Sequence, residues 1–133
     1  MKRRTARRAA FTLIFQIPFH SAFDHETAYE NYISIFGVSN PDAYVFDTLK
    51  GVCENLQNID VHIQKSLSNW DIDRVCRTDL AILRQSVYEL RDKQSDTPPA
   101  VTINEAVEIA KAFGTDESGS FVNGVLSAAL KLL

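Results

Sequence analysis

Apolar residues recur in this chain at steps of three and four, and strict alternation is nearly absent. That spacing is the period of a helix face, so the chain reads as all-α. Only five glycines and four prolines interrupt its 133 residues. Segment 3–17 sets Ala6, Ala10, Leu13 and Ile17 on one side. Segment 26–36 sets Tyr29, Ile33 and Phe36 together and meets Gly37, suited to close a helix in the left-handed conformation. Asn40 and Pro41 read as the N-cap and first position of a helix to about residue 56, with Tyr44, Val45, Leu49, Val52 and Leu56 inward. Ile59, Ile63 and Leu67 mark another helix, followed by a turn at Trp70–Asp73. Leu80, Leu83, Val87 and Leu90 mark a helix over 78–91. Pro98 and Pro99 break the pattern. Thr102 and Glu105 then match a capping box, opening a helix through Ile103, Val107, Ala110 and Phe113 to Gly114. A last helix from about 117 buries Val122, Val125, Leu126, Ala129 and Leu133, with Asp116 and Glu117 at its positive end. The total is six or seven helices. Gly124, on the polar face of the last one, points to close approach by another backbone or a ligand.

The hydrophobic fraction of 45% supports a core without staples. Cys53 and Cys76 have no zinc-spaced partners, so no metal site is expected, and they read as two buried thiols in a reducing cytoplasm. Basic residues ahead of Ala9–Phe15 resemble the start of an export signal. Gln16, Pro18 and His20 break that run, and no small-residue cleavage site follows. No apolar run approaches the ~20 residues that span a bilayer.

Charge is unevenly distributed. Lys2, Arg3, Arg4, Arg7 and Arg8 all precede the first carboxylate, Asp24, while the remaining residues hold 9 Lys+Arg (14 − 5) against 17 Asp+Glu. An acidic body argues against a general nucleic-acid coat, and a concentrated basic end argues for one anionic partner. On a helical wheel, Arg4, Arg7, Arg8, Phe11 and Phe15 share a stripe. Guanidinium groups pair with phosphates, and aromatic and guanidinium planes stack on unpaired bases. The same stripe fits a partner-helix surface, or a solvated basic end beside core phenylalanines. On the RNA reading, removing the Arg4, Arg7 and Arg8 charges weakens RNA binding without unfolding the protein.

No catalytic constellation is present. His20, His25 and His62 lack ligand spacing, Asp71/Asp73 and Asp116/Glu117 suit turns and helix starts, and there is no phosphate loop or nucleophile elbow. The chain reads as a non-enzyme without a cofactor. The small polar loop Gly114–Ser120, between Phe113 and Phe121, reads either as a tight connection or as a recognition loop with an aromatic platform.

Longer motifs carry a resemblance. Asp79–Arg84 with Val87–Leu90, then Ile103–Gly114, then Ser120–Leu126, together with Arg3, Arg4, Ala6 and Arg7, resemble the NusB family of transcription antitermination factors across essentially the whole chain. The resemblance implies two perpendicular three-helix bundles plus an added helix, with bundles at about 1–57 and 58–133. It implies a cytoplasmic, non-enzymatic factor that binds boxA-type single-stranded RNA with the ribosomal protein NusE. That factor works in the transcription elongation complex and suppresses premature termination in ribosomal RNA operons. It implies RNA contacts at Arg3, Arg4, Arg7, Arg8, Lys111, Phe113, Gly114, Glu117 and Phe121, and a NusE-facing surface at Phe15 and Asp79. Some members form homodimers, and similar domains serve substrate binding in RNA cytosine methyltransferases. Two departures stand out. Phe15 replaces a frequent Tyr, and Gly119-Ser120 stands where many relatives are basic.

Overall fold

The computed structural model describes residues 2–133. Seven α-helices follow one another: α1 (Arg3–Phe15), α2 (His25–Phe36), α3 (Ala43–Glu54), α4 (Leu56–Ser66), α5 (Arg77–Arg91), α6 (Pro99–Phe113) and α7 (Ser118–Lys131). Short 3-10 turns at Ile17–Phe19 and Ile72–Arg74 complete the described residues, which contain no strand.

The middle of α5 is the hub. It packs against α1, α3, α4, α6 and α7, and every residue from Asp79 to Val87 is buried. One hydrophobic cluster runs from Ala6 and Ile14 in α1, through Leu49 and Val52 in α3 and Ile63 in α4, to Leu126 in α7. The apolar pattern marked Leu80, Leu83, Val87 and Leu90 in α5 and took no account of Arg84 and Gln85. The structure buries these too and pairs them. Arg84 donates from Nε and Nη2 to both carboxylate oxygens of Asp60, each at 2.9 Å. Gln85 donates to the Arg7 carbonyl at 3.0 Å and to the Tyr44 hydroxyl at 3.1 Å. Arg91, at the end of α5, donates to Nδ1 of buried His62 at 3.2 Å, and His62 Nε2 reaches the Ala129 carbonyl at 2.8 Å. His62 is thus a hydrogen-bonded core residue tying α4 to α5 and α7.

Local chemistry sets the helix ends, and three differ from the sequence reading. Gly37 closes α2 at φ +60°, as its position suggested. α3 does not begin at Pro41. Its N-cap is Asp42, whose side chain accepts from the Tyr44 N–H at 2.9 Å, leaving Asn40 and Pro41 in the approach. α3 and α4 are separated by Asn55 alone, so α4 starts at Leu56, ahead of the first apolar marker at Ile59. The capping box at Thr102 is not formed. Pro99 starts α6 three residues earlier, at a position that needs no N–H donor. Thr102 is therefore buried inside the helix, and Glu105 faces α1.

Cys53 is half-buried, and burial lifts its thiol to about 11, but Cys76 is exposed at the start of α5, so only one of the two thiols is sheltered. No helix of the described residues is long and apolar enough to cross a membrane.

Two glycines give opposite expectations. At Gly114 a Cβ would lie 2.6 Å from the Ser118 Cβ and 2.8 Å from the Ala110 carbonyl, and Ser118 is 1% exposed. At Gly124 a Cβ would meet nothing within 4 Å, so nothing within the chain explains this glycine by close approach. Gly114→Ala is expected to lower stability by ~1–3 kcal/mol through overpacking. Gly124→Ala is expected to raise it by up to ~1 kcal/mol through helix propensity. Urea midpoints at constant m-value check both.

Candidate nucleic-acid interface

The basic stripe of α1 divides in the structure. Ala6, Ala10, Phe11, Leu13 and Ile14 are buried, which fixes the rotation of the helix. Arg3, Arg4 and Arg8 remain exposed, whereas Arg7 turns inward and is 5% exposed. Arg7 Nη2 donates to Glu89 Oε1 at 2.7 Å, and its Nη1 lies 3.9 Å from Glu105. Burial disfavours its charge, but the hydrogen bond and charge of Glu89, helped by Tyr44 and Glu105, more than offset that and hold the guanidinium above its usual range. Arg7 is therefore not part of the exposed basic face expected from the wheel. A guanidinium with two carboxylates near it and little access to water is already committed.

The exposed arginines are also positioned. Arg4 pairs with Glu105 at 3.1 Å. Arg3 lies 3.7 Å from Asp42 and 4.8 Å from the centre of the Tyr44 ring. Arg8 lies 5.6 Å over the ring of Phe113, joining α1 to the end of α6. Phe113 begins a row of aromatic rings. It meets Phe11 at 5.3 Å, Phe11 meets Phe15 at 6.3 Å, and Phe15 meets Phe19 at 5.2 Å. Arg77, at the start of α5, lies 5.7 Å over Phe19 and closes the far end. The row thus carries an arginine at each end. Phe113 and Phe19 are about half exposed, at 47% and 56%, while Phe11 is buried and serves as the base.

Phe19 and Arg77 were missed in the sequence. Phe19 continues the four-residue step from Phe11 and Phe15, and Pro18 concealed it. The 3-10 turn after α1 keeps the ring in line. Tyr44, Glu89 and Glu105 were missed as well, because their role depends on contacts across the fold.

Other expected site residues lie elsewhere. The connection between α6 and α7 is shorter than the polar run Gly114–Ser120 suggests, because Ser118 already begins α7. Ser118 Oγ accepts from the Thr115 N–H at 2.9 Å, so that donor is not free. Phe121 is half-buried and pairs with Trp70 at 6.2 Å. Lys111 and Glu117 are exposed. Between α6 and α7 runs an open groove of about 700 Å³, lined among others by Asn104, Val107, Lys111, Gly119 and Asn123. Asp79 is buried near the Arg77 end, and one of its carboxylate oxygens has no hydrogen-bond partner among the described residues. No group of three or more potential metal ligands occurs among the described residues.

A family model described as the NusB family matches residues 4–131. This chain belongs to the NusB family. Among its relatives, the transcription antitermination protein NusB of Acetivibrio thermocellus is 38% identical over 99% of this chain and 90% of its own length. That of Bacillus licheniformis is 43% identical over 96% of this chain and 95% of its own length. Solved structures agree. NusB of T. maritima superposes with a TM-score of 0.86 at 36% identity, covering 98% of this chain and 92% of that one. A crystal structure of the antitermination factors NusB and NusE in complex with dsRNA gives a TM-score of 0.86 at 28% identity, over 98% and 97% of the two chains. The all-helical architecture of this NusB-family chain is thus shared by structures at substantial sequence distance.

Two predictions follow from the divided stripe. Arg7→Ala should cost ~3–5 kcal/mol, because it strands Glu89 in a buried site, whereas Arg8→Ala should cost under ~1 kcal/mol. The expectation that the Arg4, Arg7 and Arg8 charges can be removed together without unfolding the protein is thus put to the test at Arg7, and chemical denaturation of the single variants will separate them. The second concerns Tyr44. Burial, then the charge of Glu89, raises its phenol from 10.0 to about 12. The folded protein holds this proton more tightly than the unfolded chain. The contribution is complete below pH 10 and is lost as pH rises through about 12. Stability should fall over that window by on the order of 2 kcal/mol, with a shallower fall in Tyr44→Phe, read from urea unfolding as a function of pH.

Proposed function

We propose that this chain is a transcription antitermination factor. It binds boxA-type RNA through the α1–α6 edge, together with NusE, in the transcription elongation complex, and suppresses premature termination in ribosomal RNA operons. The observation that carries this reading is Arg8 seated on the half-exposed ring of Phe113 at the end of the aromatic row, on an otherwise acidic body. A cation beside an exposed ring offers a phosphate contact and a stacking platform at once. Arg3, Arg4, Arg8 and Lys111 supply the charge. Phe113, with Gly114, Glu117 and Phe121 beyond it, would line the path of the RNA, and Arg7 acts as a positioning residue that holds α1 in place. Phe15, toward the Arg77 end, would face NusE, with the buried Asp79 beneath that surface. Relatives named as antitermination proteins and the NusB–NusE–dsRNA complex support the assignment. On this reading the protein is a non-enzymatic cytoplasmic factor, and no chemical step is asked of it.

Fluorescence anisotropy with boxA-type single-stranded RNA, a scrambled control and a duplex, each with and without NusE, tests the proposal. Selective binding that tightens with NusE is expected. Four exposed cations predict a log–log salt slope of roughly −3 for a single strand, and Arg8→Ala should flatten it by about 0.7. Phe113→Ala should weaken binding by ~1–3 kcal/mol without changing the slope. Equal affinity for boxA and scrambled RNA in the presence of NusE would defeat the reading.

A further inference from the structure

The opposite chemistry lies on α2. None of its 12 residues is fully buried, and its principal neighbour is α3. The packed side of the helix is aromatic. Phe46 of α3 takes Tyr29 edge-on at 5.0 Å and lies 5.9 Å from His25. The line continues from Tyr29 to Tyr32 at 6.2 Å and from Tyr32 to Phe36 at 5.8 Å. It then runs past its support. Ile35 is 76% and Phe36 73% exposed, the highest values among the large apolar side chains described. These two side chains do not sit on a fraying end. Gly37 caps the helix in the left-handed conformation, and the Val38 N–H returns to the Ile33 carbonyl at 3.1 Å.

The segment that carries this patch is acidic. From Asp24 to Glu54 the chain holds six carboxylates (Asp24, Glu26, Glu30, Asp42, Asp47 and Glu54) and one cation of the Lys/Arg type, Lys50, a net of −5. Asp42 pairs with Arg3, and among the described residues none of the other five forms an ion pair. Burial, then Tyr32 and the charge of Asp47, raise the Tyr29 phenol above its usual range, so negative charge lies beside the rings themselves.

We propose that the α2–α3 face is a docking surface for a basic amphipathic protein segment, one whose apolar side chains cover Ile35 and Phe36 while flanking lysines or arginines meet the free carboxylates. Charge complementarity selects this occupant. RNA is disfavoured because phosphates would face five unpaired carboxylates, and a second copy is disfavoured because it would bring the same charge. A cation fits twice over, since the exposed ring of Phe36 attracts ammonium and guanidinium groups through its face. The surface is separate from the arginine-flanked row on α1 and does not depend on what binds there.

The test uses the full chain, isotope-labelled for NMR, and labelled model peptides. One is an amphipathic Leu/Lys helix, one replaces its lysines with glutamate, and one replaces its leucines with serine. The Leu/Lys peptide should bind at physiological salt and shift amide signals of α2 and α3. Both other peptides should bind at least about tenfold more weakly, and so should Ile35→Ser/Phe36→Ser and, separately, Glu30→Lys/Asp47→Lys. Both pairs lie at exposed positions and leave the thermal midpoint unchanged, and Ile35→Ser/Phe36→Ser, which keeps the net charge, leaves the RNA affinity unchanged. Amide shifts centred on other helices, undiminished binding by both variants, or equal binding of the Leu/Glu peptide would overturn the proposal. So would a concentration-dependent dimer in sedimentation velocity that Ile35→Ser/Phe36→Ser abolishes, since the occupant would then be a second copy.

Discussion

The fold turns on a helix with no solvent-facing side over its middle. Because α5 is surrounded, every polar group it carries from Asp79 to Gln85 enters an environment that penalises unpaired charge. Arg84–Asp60 resolves one of these conflicts on the α4 side, and the Arg7–Glu89 bond at 2.7 Å pairs a further charge toward the end of α5. Each pair joins α5 to a different helix, so satisfying the charges also sets how the helices assemble. Apolar packing alone would tolerate several rotations of α1 about its axis. An arginine that must reach Glu89 while Gln85 holds its carbonyl tolerates one.

This arrangement also sorts the surface. Drawing Arg7 inward leaves Arg4 and Arg8 pointing out on either side of it, and Glu105 and Phe113 on α6 hold them there. The cationic end thus faces α6 through Arg4 and Arg8, and meets the acidic α2–α3 region where Arg3 reaches Asp42. A surface divided in this way can attract an anion at one place and repel it elsewhere, which favours orientation over adhesion.

Much of the helix inventory was legible in the sequence because it rests on local period and local caps. Gly37, the proline break and the apolar face of α7 from Val122 to Ala129 needed no tertiary information, whereas Leu133, expected on that face, lies beyond the helix end and is exposed. The misplacements have physical causes. Thr102 carried the signature of a cap, but Pro99 was equally able to start a helix, and the choice between them lies in whether Thr102 is buried. Arg7 looked like its neighbours because burial of a charge depends on a carboxylate 82 positions away. The row of phenylalanines was half visible. Phe11 and Phe15 lay on one wheel, but Phe113 and the flanking Arg77 joined it only through packing. The length of the recognition loop was overread because Ser118–Ser120 are small and polar yet helical.

The single residue between α3 and α4 has a consequence of its own. Asn55 Nδ2 donates to the Gly51 carbonyl at 2.8 Å, so even this joint is tied to the helix before it. With a single residue between the third and fourth helices, and both packed on α5, this joint offers no hinge. The α3–α4 pair is placed before contact, without the population cost that a closing clamp would impose on each ligand. Whatever it selects, it selects by the shape and charge it presents before contact, and a partner that does not fit must do the adjusting.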